Sequence, residues 1–107
     1  MAESNRVVYR AGDYSVDLSM ESEDSADRRE MVGQISRELD PQATLAGVIV
    51  QVLAAGKPVS ETTTNRFGEF MIELPQRNSV VLRFAMKQQG HRIDLPLKTT
   101  APKWRFP

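Results

Sequence analysis

The sequence predicts an all-β protein, an antiparallel Greek-key sandwich of seven or eight strands. Three observations lead there. Apolar residues recur at every second position in one segment after another. Residues 62–75, TTTNRFGEFMIELP, show it best, with Phe70, Ile72 and Leu74 alternating with Glu69, Met71 and Glu73. Such alternation turns one face of a strand to a core and the other to water. Turn residues punctuate these segments about every 8–12 positions, the spacing of an antiparallel sandwich. No stretch sustains a helical period; the nearest, residues 26–39, loses its apolar stripe at Gly33.

Each element follows from its local pattern. Residues 14–20 alternate Tyr14, Val16, Leu18 and Met20 with polar partners, and residues 29–36 place Met31, Gly33 and Ile35 on one face. Residues 46–53, AGVIVQVL, are apolar on both faces except at Gln51. That predicts a central strand covered on both sides, with Val48, Val50 and Val52 in the core. Residues 59–64, VSETTT, are rich in β-branched side chains and read as the next strand. Residues 65–68 then form a tight hairpin turn, because Asn65 and Gly68 tolerate positive φ. The following strand runs to Leu74 and stops at Pro75, which has no N–H for a ladder. Residues 79–87 turn Val80, Leu82, Phe84 and Met86 inward. Ile93, Leu95 and Leu97 form a last strand, which Pro96 assigns to an edge. Residues 55–58, 75–78 and 88–91 carry turn chemistry, and residues 21–28 and 40–43 are polar loops. The domain plan is an N-terminal arm over residues 1–13, flexible or an edge strand, a sandwich over 14–97 and a tail over 98–107. Within the arm, RVVYR at residues 6–10 is suited to pairing with a sheet edge.

Composition narrows the function classes. The chain has 107 residues, one domain's worth, with 14 Lys plus Arg against 14 Asp plus Glu. A neutral chain lacks the basic excess of a nucleic-acid or anionic-membrane binder. It has no cysteine, so disulfides and thiolate chemistry are excluded. No apolar run approaches the roughly 20 residues of a membrane span, and the first residues lack the apolar region of a secretory signal. The expected location is the cytoplasm.

Candidate chemistry is sparse. His91 is the only histidine. A nucleophilic triad needs partners for it, and a zinc site needs three or four ligands, so His91 reads as a turn residue after Gly90. The acidic run Glu21, Glu23, Asp24 and Asp27 lacks the regular spacing of a calcium loop and has Arg28 and Arg29 beside it; it reads as a solvated loop. Thr62, Thr63 and Thr64 have no apparent base beside them, and strand propensity accounts for all three. No cofactor or metal is expected. The tail is the unusual stretch. It sets the only tryptophan, Trp104, and Phe106 around Arg105, with Lys103 before them. Trp and Arg concentrate the binding energy of interfaces. Trp104, Arg105 and Phe106 are therefore the leading candidates for partner contact, with Tyr9 and Arg10 second. The alternative for Trp104 is folding back over the chain's own sheet edge.

The order of glycines and apolar residues carries a resemblance. Met31-Val-Gly33-Gln-Ile35 is followed by Leu45-Ala-Gly47-Val-Ile-Val50-Gln-Val52. Then come Thr64-Asn-Arg-Phe-Gly68-Glu-Phe70-Met-Ile72-Glu-Leu74-Pro75 and Val80-Val-Leu82-Arg-Phe84. This resembles the carboxypeptidase regulatory-like domain, a transthyretin-like (prealbumin-like) sandwich, over residues 31–97. The chain departs from that pattern at Phe67, where the family often has an acidic residue, and at Gly90-His91, where it often has Gly-Tyr. The resemblance implies a module without catalytic residues, a structural or recognition unit. Small stand-alone bacterial proteins with a leading Y-R-A-G-x-Y-x-V-D-L stretch look similar, and that likeness implies a regulatory setting.

The functional expectation is a non-catalytic protein-interaction or structural module of a bacterial regulatory assembly. Its partner would be another protein, with a homodimer through a sheet edge as one form of contact, and no nucleic acid. The alternative is a module binding carbohydrate or a small molecule through loops at one end, formed by residues 75–78 and 88–91. Hydrolases of the transthyretin-like class, the hydroxyisourate hydrolases, need several histidines and a C-terminal Tyr-Arg-Gly-Ser. This chain has one histidine and ends Trp104-Arg105-Phe106-Pro107, so no enzyme activity is expected.

Overall fold

Eight antiparallel strands build two four-stranded sheets. The structure, a computed structural model, describes residues 6–22, 29–40, 45–75 and 79–98, and the side chains of all of these but 21 and 22. The strands are β1 (Arg6–Ala11), β2 (Tyr14–Ser22), β3 (Arg29–Arg37), β4 (Ile49–Ala54), β5 (Lys57–Thr63), β6 (Glu69–Leu74), β7 (Ser79–Met86) and β8 (His91–Lys98). One sheet has the order β1-β2-β3-β6 and the other β5-β4-β7-β8.

The alternating residues meet between the sheets. Val16, Leu18, Met31, Ile35, Phe70 and Ile72 come from the first sheet. Val50, Val52, Leu82, Phe84, Leu95 and Leu97 come from the second. These form a single contiguous core. Phe70 and Phe84 meet edge to face across it, ring centroids 5.5 Å apart at 73°, the arrangement an aromatic quadrupole favours. Gly33 makes the room. It pairs with Leu18 on one side and Phe70 on the other, and a Cβ there would lie 2.6 Å from Phe70 Cζ.

Several sequence expectations change. The central strand begins at Ile49 rather than at Ala46, because residues 46–47 are a turn with Gly47 at φ +73°. The β4–β5 connection is a two-residue hairpin, not a four-residue turn. Ala55 (φ +53°) and Gly56 (φ +78°) both sit in the left-handed region, as a type I′ turn requires. β5 therefore starts at Lys57.

The largest correction concerns residues 65–68. They do not join a hairpin, since β5 belongs to one sheet and β6 to the other. The segment is an arch that carries the chain across the core. Gly68 does adopt positive φ (+77°), but Asn65 does not contribute that way. Its Oδ1 accepts from the N–H groups of Phe67 (2.9 Å) and Glu69 (3.0 Å), an Asx turn. Beyond the arch, Gly68 C=O accepts from Ile35 N–H at 3.0 Å, which starts the β3–β6 ladder.

Thr64 has a different part from the threonines before it. Its buried hydroxyl donates to Leu45 C=O (2.5 Å) and accepts from Val48 N–H (2.9 Å). Its backbone bonds Gly47 N–H and Val48 C=O. Thr64 thus fastens the entry to β4, and strand propensity alone does not account for it.

Candidate functional site

The arch settles which edges are open. β5 and β6 lie together on one side of the sandwich, packed across the two sheets. On the other side β1 and β8 are the outermost strands. Edge strands expose unpaired N–H and C=O groups, and proteins blunt them with proline, bulges or charge. β8 carries Pro96 at its edge, as the sequence predicted. β5 carries Pro58 and a break in register between Val52 and Leu53, with Val59 the extra residue. β6 is crossed at its start by the arch. β1 has neither proline nor bulge; its register to β2 is unbroken from Arg6–Ser19 to Ala11–Tyr14.

The side chains of β1 sort by face. Tyr9 and Ala11 pack against the core, so the Tyr9 ring is half-buried rather than presented to solvent. Arg6, Val8 and Arg10 face outward, with Val8 50% exposed. Both cations are matched within the chain. Arg6 Nε donates to Asp17 Oδ1 at 2.9 Å, and Arg10 Nε lies 3.3 Å from Glu38 Oε1. Their charges are therefore neutralised and offer little of the repulsion that protects an edge. Trp104, Arg105 and Phe106 lie outside the described residues, as do Glu23, Asp24 and Asp27 of the acidic loop.

A polar cluster closes the end of the sandwich where β1 turns into β2. The phenol of Tyr14, buried at the start of β2, shares a 2.8 Å hydrogen bond with His91 Nδ1 at the start of β8. This bond bridges the two sheets. Arg37, at the end of β3, stacks its guanidinium 5.5 Å from the Tyr14 ring centroid and donates to Asp13 Oδ2 at 2.8 and 3.0 Å. His91 is thus an inter-sheet latch rather than a bare turn residue. Its partner lies 77 positions away, and the sequence holds no local signal of it. Among the described residues, no three His, Cys, Asp or Glu side chains are placed as a metal site would need.

The outward face of the second sheet is laced by pairs. Arg83 donates to both carboxylate oxygens of Asp94 (2.9 and 3.2 Å), and Gln51 donates to Glu61 Oε1 (2.8 Å). Three carboxyls are held below the ordinary carboxylate range, each mainly by a hydrogen bond from arginine: Asp13 by Arg37, Asp17 by Arg6 and Asp94 by Arg83. A folded value below the unfolded one means that this stabilisation is in place above the unfolded carboxylate value of about 3.9. It is lost as pH falls through the folded values. Arg37→Gln is therefore expected to flatten the acid side of the stability profile. Urea titrations stepped from pH 5 to pH 2 would check this, and equal slopes in variant and parent would show that the Asp13–Arg37 pair contributes nothing.

Of the two loops expected to share a ligand, the described residues lie at opposite ends of β7. Pro75 precedes β7 and residues 87–90 follow it, with eight strand residues, about 25 Å, between them. The end that holds residues 87–90 also holds residues 12–13 and the arch. On the arch Phe67 is 57% exposed, with the Arg66 guanidinium 4.8 Å from its ring centroid. Among the described residues, no helix is long and apolar enough to cross a membrane. No family model, curated protein or solved structure matches the chain.

Proposed function

We propose that the chain is a non-catalytic protein-interaction module that accepts an extended segment of a partner protein along β1. One observation carries the reading: β1 is an edge with no proline, an unbroken register and both arginines paired, and β6, the other edge without proline or bulge, lies against β5. Strand addition takes its affinity from main-chain hydrogen bonds and its specificity from the side chains alternating beside them. Val8 and Arg10 would supply that alternation. The kinship proposed with this reading is the carboxypeptidase regulatory-like, transthyretin-like class. It is supported by the Thr64, Gly68, Phe70 and Pro75 pattern and by the two four-stranded antiparallel sheets between which the chain crosses at residues 65–68. A regulatory assembly in the cytoplasm is the setting proposed.

The test is affinity capture from lysate of the source organism with the parent chain, Val8→Lys and Arg10→Glu, followed by amide exchange on the captured complex. A partner retained by the parent, lost with Val8→Lys and protecting the amides of β1 is the expected result. A partner that Val8→Lys still binds, with native circular dichroism, sinks the assignment to β1.

A second reading rests on exposed Phe67 with Arg66 over it, because sugars pack on exposed aromatic faces. On that reading the arch end binds a carbohydrate. A glycan panel should then contain a compound that raises the melting temperature of the parent and not of Phe67→Ala; equal shifts in both would exclude the arch.

A further inference from the structure

The outer face of the second sheet holds an apolar groove at the end where β8 finishes. Leu53, Val81 and Pro96 stand in one row across β4, β7 and β8, in register with one another. Val80, Leu97 and the hairpin at Ala55-Gly56 border them, and the groove encloses about 390 Å³. Leu53 is the anomaly. It is only 5% exposed, yet it is not part of the contiguous core between the sheets. Its neighbours in the row are on the outward face, where Val81 is half-buried and Pro96 is exposed.

We propose that this groove is the seat of the chain's own C-terminal segment, residues 99–107, with Trp104 laid across Leu53, Val81 and Pro96. The point of departure supports it, because Lys98, the last residue of β8, itself lines the groove. So does the reach. Trp104 lies six positions beyond Lys98, a span of up to about 20 Å when extended. The row from Pro96 to Leu53 crosses two strand spacings, about 10 Å. The segment can therefore reverse and return, and Ala101-Pro102 supplies a residue that favours a turn. The composition fits as well: Trp104 and Phe106 are the large apolar side chains of the segment, and burying an aromatic ring in an apolar groove is favourable. The seat does not depend on how β1 is used.

Trp104 is the only tryptophan, so its fluorescence reports this contact alone. The full-length parent is expected to show blue-shifted emission and weak acrylamide quenching, both unchanged on dilution from micromolar to nanomolar. Val81→Asp should move the emission to that of free tryptophan while far-ultraviolet circular dichroism stays native. Pro96→Glu, at an exposed position, should do the same if Val81→Asp fails to fold. Solvent-like emission in the parent overturns the proposal. So does blue-shifted emission that both variants retain, which places the indole elsewhere. Emission that shifts red on dilution overturns it too, and makes the occupant a second copy's tail.

Discussion

Phe70→Ala is expected to lower the free energy of unfolding by about 3–5 kcal/mol, the range for removing a buried aromatic ring. The site cannot collapse into the space left. Gly33 faces the ring with no side chain to move in, and its backbone is held by ladders on both sides. Phe84, fully buried, loses its edge-to-face partner at 5.5 Å. The loss should read in urea as a lower midpoint with an unchanged slope. A cycle with Phe84→Ala should return a coupling of about 0.5–1.5 kcal/mol, the contribution of an aromatic pair beyond its area. A loss under about 1 kcal/mol would mean that the ring is not buried between the sheets.

Gly68→Val should be as severe, by a different cause. The residue sits at φ +77°, and a Cβ there would lie 2.3 Å from the Ile35 carbonyl oxygen. Holding a non-glycine residue in that region costs about 1–3 kcal/mol. The clash is with backbone, which cannot rotate away, and overpacking adds about 1–3 kcal/mol more. The expected loss is about 4 kcal/mol. Gly12→Ala separates the two causes. Its φ is +61°, but nothing lies within 4 Å of the added Cβ, so only the conformational cost of about 1–2 kcal/mol remains. Thermal melts of the two variants should differ accordingly; equal losses would show that the approach of β6 to Ile35 is not close.

Alternation gave the strands and the faces they bury. Phe70, Ile72 and Leu74 face inward as read, as do Val80, Leu82, Phe84 and Met86. A period of two says which side chains share a face, but not which strand lies beside which. The arch shows the gap. Asn65 and Gly68 announce a turn whether the next strand pairs with the last or crosses to the other sheet. What decides is Ile35, 33 positions before Gly68, whose N–H and C=O meet that glycine. Thr64 and His91 escaped for the same reason. The hydroxyl of Thr64 is read by Leu45 and Val48, and His91 by Tyr14, all distant in sequence. Of the candidate site, the outward placement of Arg10 fits strand alternation once β1 is known to pair. The half-burial of Tyr9 on the opposite face follows from the same alternation and tells against a purely solvent-facing ring.

The crossing at residues 65–68 also governs how the chain reaches this state. β4 and β5 are joined by two residues and can zip at once, and β1, β2 and β3 are sequence neighbours. Pairing β6 with β3 closes a loop that contains the whole of β4 and β5, which belong to the opposite sheet. Closing that loop costs entropy before its contacts repay it. The β3–β6 closure is the expected slow step of folding, in the millisecond-to-second regime of non-local β topologies. Until then the β3 edge that β6 will cover stands open.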